Sequence, residues 1–187
     1  MTSKLFQYAG IAASIVLIAF GIGALYMGID GRSMVRSDLA REMIVGTEDS
    51  TIPGQKVDTG SEAQAFANVI RKHTLEATDG KTYAQMGRYL DANGKETNDE
   101  AAAAKDPKTG QPVANGLRNM WINSTALTTA LNTAYFAESV ATFAIVMGIA
   151  LLLSGFGFAV LSIRALSPAE QREGSRAQAP KTAVVGT

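Results

Sequence analysis

The sequence predicts an all-α membrane protein, a two-transmembrane-helix hairpin with a small, mostly helical extracytoplasmic domain between the spans. Three observations predict it. Residues 5–29 and 139–163 contain no charged side chain, and each run exceeds the ~20 apolar residues that cross a hydrocarbon core as a helix. The stretch between them, 30–138, is polar and holds 15 acidic and 12 basic residues. The formal net charge of zero therefore averages over unlike regions, because the tail from Arg164 onward holds four basic and two acidic residues.

Residues 1–4 form a short N-terminus carrying Lys4. The apolar run that follows is longer than the ~7 to 15 residues of a signal-peptide core. No small-x-small cleavage pattern follows Tyr26, so residues 5–29 read as an uncleaved anchor bracketed by Tyr8 and Tyr26. Small residues recur four apart at Ala19 and Gly23 and at Ala24 and Gly28, and in the second span at Ala144 and Gly148 and at Gly155 and Ala159. Such spacing lets helix backbones approach closely in lipid. These faces serve either a partner or homo-oligomer, or the packing of the chain's own two spans.

After the first span, residues 34–45 read as a helix with Met34, Val35, Leu39, Met43 and Ile44 apolar and Asp38 within pairing reach of Arg41. The clearest helix of the inter-span region covers 61–78, with Ser61 and Gln64 at capping-box spacing and Gly80 as its stop. Its face formed by Phe66, Val69, Ile70 and His73 is the candidate partner surface. A short helix is expected over 82–90, and Asn93-Gly94 marks a tight turn. Residues 91–115 are rich in Asp, Asn, Lys, Ala, Gly and Pro, a composition that predicts a flexible segment.

Residues 117–138 lack Pro and Gly and place Met120, Leu127, Leu131 and Tyr135 at helical spacing, so the second span belongs to a longer helix. Trp121, Tyr135 and Phe136 supply rings of the kind enriched at membrane surfaces. Both membrane helices are expected to continue outward as a stalk. Residues 164–187, with Pro168 and Pro180, are expected to form a disordered cytoplasmic tail.

For orientation, the tails offer Lys4, Arg164, Arg172, Arg176 and Lys181, and the loop offers Arg32, Arg36, Arg41 and Arg118. The positive-inside rule narrowly places both termini in the cytoplasm of a cell membrane, and loops beyond ~60 residues cross largely regardless of charge.

Composition closes several chemistries. Without cysteine there is no thiolate nucleophile and no cysteine-held zinc or iron-sulfur site. The loop has no clustered Lys and Arg of the kind that neutralises phosphates, so no nucleic-acid partner is expected. Gly80-Lys81-Thr82 has Leu75 where a phosphate-binding loop needs its first glycine. His73 is the one histidine, and Glu48-Asp49 and Asp99-Glu100 lack the spacing of a calcium loop. No catalytic, cofactor-binding or metal residues are assigned. Glu138, at the start of the second span, either faces water or pairs with Arg32 or Arg36.

Arg41-Glu42-Met43-Ile44-Val45, Glu48-Asp49, Val69 through Thr78, Gly80-Lys81-Thr82-Tyr83 and Asn132 through Ala137 together resemble a family of small two-span actinobacterial membrane proteins. Members often carry the label of aromatic ring-opening dioxygenase. That label implies iron(II) held by two histidines and a carboxylate, and one chain with a single histidine cannot supply the set. The expected function is therefore non-enzymatic: an accessory or scaffold protein in the lipid bilayer whose loop domain binds an envelope or membrane partner. The alternative is a subunit of a transport or signalling assembly joined through the small-residue faces.

Overall fold

A computed structural model describes residues 2–164 of the chain. Met1 of the N-terminal segment and residues 165–187 of the expected cytoplasmic tail lie outside the described residues. The protein is mostly helical, with α1 (Thr2–Arg41), α2 (Gly60–Ala77) and α3 (Gly116–Arg164). A 3-10 turn (Tyr83–Gln85) and two short strands, β1 (Tyr89–Leu90) and β2 (Glu96–Thr97), lie between α2 and α3. Both α1 and α3 are long and apolar enough to cross a membrane, with peak mean hydropathies of 2.1 and 2.4. Only 11% of each apolar window is buried, so most of those side chains point outward, unlike those of a soluble core helix. The chain divides into two units, one comprising residues 2–30 with 141–164 and the other residues 31–140.

In the first unit, α1 and α3 pack antiparallel along a seam of small residues. Ser14, Gly21 and Gly28 are buried on α1, and Ala141, Gly148 and Gly155 on α3. Each set repeats every seven residues, the period that keeps one stripe facing a partner in a left-handed pair. The backbones are close: a Cβ at Gly28 would lie 2.7 Å from the Ala141 carbonyl oxygen, and one at Gly148 would lie 2.9 Å from that of Gly21. Buried Ser14 satisfies its hydroxyl locally, donating to the Ile11 carbonyl at 2.7 Å.

The sevenfold period sorts the predicted packing residues. Gly28, Gly148 and Gly155 lie on the seam, with Ala24, Ala144 and Ala159 partly buried beside it. Ala19 and Gly23 are exposed, and nothing lies within 4 Å of where a Gly23 side chain would begin. Gly21, two residues earlier, takes the contact because two positions on a helix point to nearly opposite sides.

In the second unit, α2 packs against the remainders of α1 and α3 around Leu39, Val57, Ala63, Ala67 and Leu131. Val35, Ile44, Ile52, Phe66, Ile70 and Ala134 surround that cluster. The helix expected over 34–45 is the last part of α1 and ends at Arg41. Met43 is left-handed at φ 52°, and Ile44 to Gly46 turn back to pair with Gln55 to Val57.

The cap of α2 is Thr59, not Ser61. Thr59 Oγ1 accepts from the Glu62 N–H at 3.4 Å, and the Glu62 carboxylate accepts from the Thr59 N–H at 2.9 Å. A carboxylate at the third helical position accepts more strongly than the amide of Gln64, which starts the helix a residue earlier than predicted. At the other end Asp79 is left-handed, and the N–H groups of Asp79 and Gly80 close onto the carbonyls of Glu76 and Leu75. This is a Schellman ending, so Gly80 stops the helix as expected.

The helix expected over 82–90 is reduced to the 3-10 turn. Met86 is buried, and a Cβ at Gly87 would lie 2.7 Å from the Thr97 nitrogen, so this stretch runs extended against β2. Residues 91–115 are not a featureless excursion. Tyr89 pairs with Thr97 and Leu90 with Glu96 across a turn in which Gly94 has φ 77°. Further bridges join Tyr89 to Ala114 and Lys105 to Pro112. Asp91, Asp99 and Asp106 accept main-chain N–H groups of their own turns, so local polar caps organise a segment that buries little apolar surface. The inter-span region is thus helical with a small β element.

Candidate functional site

An apolar groove of about 670 Å³ opens on the 31–140 unit where its three helices meet. From α1 come Val35 and Leu39, from α2 Phe66 and Ile70, and from α3 Leu127 and Leu131. Each pair is spaced four apart, so each helix contributes one continuous stripe. Asp38 and Glu42 also line the groove and set an acidic edge beside the apolar floor. Asp38 is paired with Arg41 one turn on.

The predicted partner face divides between environments. Phe66 and Ile70 line the groove, whereas Val69 is buried at 6% exposure. His73 is exposed, and its Nε2 lies 2.7 Å from Asp49 Oδ2. Asp49 also accepts from Lys72 Nζ at 3.1 Å and from the Thr47 hydroxyl at 2.9 Å. The His73 hydrogen bond, then those of Thr47 and Lys72, hold the Asp49 carboxyl well below the usual carboxylate range. His73 therefore ties the 42–58 loop to α2. Among the described residues no three His, Asp or Glu side chains converge as metal ligands would.

A charged clasp fixes the start of α2. Glu138 on α3 is buried at 7% exposure. Its Oε1 accepts from Arg32 Nε at 2.9 Å and from Arg36 Nε at 2.7 Å, and its Oε2 accepts from the Gly60 N–H. Pairing with one of the two arginines was among the sequence expectations; both engage, together with the helix N-terminus. Arg32 and Arg36 lie one turn apart, where like charges repel, and the shared carboxylate offsets that repulsion. Thr74 adds a buried contact from the last turn of α2: its hydroxyl donates to the Ile70 carbonyl at 2.7 Å and lies within hydrogen-bonding distance, 2.6 Å, of the Ser124 hydroxyl.

Sequence reasoning identified the α2 wall of the groove but not its other two walls. The signal was present as Val35 and Leu39, and as Leu127 and Leu131, each assigned to a stalk helix rather than to a shared concavity. The arrangement offers an apolar surface with an acidic edge. Comparisons with protein-family models, curated proteins and solved structures return no match.

Proposed function

We propose that the chain is a non-enzymatic two-span membrane protein with both termini cytoplasmic and the 31–140 unit outside. Its role is that of an accessory protein that docks an envelope or membrane protein through the three-helix groove. The groove carries this reading: it presents apolar side chains from three helices at one place, with Asp38 and Glu42 at its edge. Such a surface suits an amphipathic helix with Lys or Arg along its polar border. On this reading the chain groups with the small two-span actinobacterial proteins it resembles, and their dioxygenase label does not transfer to it.

Crosslinking in intact cells, followed by affinity purification in mild detergent, tests the proposal. A specific membrane or envelope protein is expected with the wild type and lost with Phe66→Asp and Ile70→Asp, while a reporter at the carboxyl terminus reads cytoplasmic. Recovery of the protein alone, or of the same partner with both variants, overturns the groove reading. A second reading, a subunit of a transport or signalling assembly, is favoured by exposed Ala19 and open Gly23 on the outer side of α1. It predicts that Gly23→Leu, not Phe66→Asp, removes the partner.

A further inference from the structure

A second hollow, of about 450 Å³, is walled by Tyr83, Trp121, Ile122, Thr125 and Ala126. Two of its rings are stacked with guanidinium groups. Arg71 on α2 lies over Trp121 at 4.5 Å from the ring centroid, and Arg118 lies over Tyr83 at 3.9 Å. Arg118 and Trp121 are one turn apart on α3, neighbours on a helix surface. Cation and aromatic therefore alternate from Arg71 through Trp121 and Arg118 to Tyr83.

Every ion pair among the described residues involves other cations, so neither Arg71 nor Arg118 is neutralised by a carboxylate. The polar contact of Arg118 is a 3.5 Å approach to the Met86 carbonyl. Stacking holds each planar fork in place while leaving its edge donors for an oxyanion, and a fork held in advance loses less freedom on binding. The adjoining wall is apolar and aromatic, and Trp121 is only 7% exposed.

We propose that this hollow binds an organic oxyanion, a phosphate or carboxylate carried on an apolar body. Arg71 and Arg118 supply the charge and donors, and the Trp121 and Ile122 wall receives the body. The site is separate from the groove and does not depend on its function. The same chemistry is available from a lipid headgroup or from a soluble metabolite.

Trp121 is the chain's one tryptophan, so its emission reports on the site. Full-length protein in phosphatidylcholine nanodiscs is titrated with hexyl phosphate and, in parallel, with hexanol. A saturable emission change is expected with hexyl phosphate alone, its midpoint weakened about tenfold in Arg71→Gln and in Arg118→Gln. In phosphatidylglycerol nanodiscs, an altered starting emission with no further response to hexyl phosphate assigns the site to lipid. An unaltered start with a full response assigns it to a soluble ligand. Equal responses to hexyl phosphate and hexanol, no response to either in both lipids with equal starting emission, or unchanged midpoints in both variants would overturn the proposal. The comparison of the two probes on wild-type protein decides the matter even where a variant misfolds.

Discussion

The same two helices are held together by opposite means in the two units they serve. Along residues 2–30 and 141–164 the contact is made by backbones brought together by Ser, Gly and Ala. In residues 31–140 the spacing is set by larger side chains, by a third helix and by a buried carboxylate shared between two arginines. The difference follows from the surroundings each segment suits. Where outward-facing residues are apolar, hydrophobicity cannot drive one helix onto another, and close packing of small residues must do so. Where outward-facing residues are polar, burying Leu39, Ala67 and Leu131 has its usual value, and charge can be used at a defined point.

The sharpest way to break the contrast is Glu138→Ala. It strands two arginines beside each other and leaves the Gly60 N–H without its acceptor, a loss of about 3 kcal/mol. The lower end of the range for buried pairs is appropriate because the arginine side chains are 42% and 43% exposed. Hydrogen exchange should show α2 amides losing protection while those near Gly21 and Gly28 keep theirs. Equal loss in both units would abolish the distinction.

Gly28→Leu and Gly148→Leu should act in reverse, destabilising the seam by roughly 1–3 kcal/mol through overpacking against main-chain atoms. Gly23→Leu, at a position with open space, should leave thermal unfolding in detergent unchanged within about 0.5 kcal/mol. An effect at the low end of that of the seam glycines is expected from Thr59→Ala, which removes the hydroxyl half of the α2 capping box at a cost of about 1 kcal/mol. It should be visible as faster exchange confined to the first turn.

The smallest effect concerns acid. Asp49 is held below its ordinary value of 3.8, so the folded chain binds this proton less readily than the unfolded chain. Its contribution is complete above pH 3.8 and is lost as the pH falls below that value, towards its folded value. The stability difference between wild type and Asp49→Asn should therefore shrink on acidification below that point. A difference that stays constant with pH would show that the His73 tether carries no weight.

The long helices were legible because charge-free runs and helical spacing are local properties. Asn93-Gly94 and the Gly80 stop were legible for the same reason. The seam was only half legible, since a four-residue spacing found Gly28, Gly148 and Gly155 but also selected Gly23. Choosing Gly21 instead requires knowing that a partner helix follows a sevenfold stripe. The order of 91–115 escaped because composition measures how much a segment can bury, whereas Asp91, Asp99 and Asp106 organise it through their own turns. The stacking of Trp121 under Arg71 was not legible either. That placement depends on α2, a helix fifty residues distant in the chain.

The Glu138 clasp also constrains the order of events in folding. It joins positions separated by 106, 102 and 78 residues. During synthesis Arg32, Arg36 and the first amide of α2 emerge well before their common acceptor. Closing so long a loop costs chain entropy before any contact returns it. The docked state of α2 is therefore reached late, after α3 has been made, and the two arginines remain solvated until then. A chain arrested before residue 138 would carry α2 without this clasp, held by the His73–Asp49 contact and by packing against Leu39 and Val57.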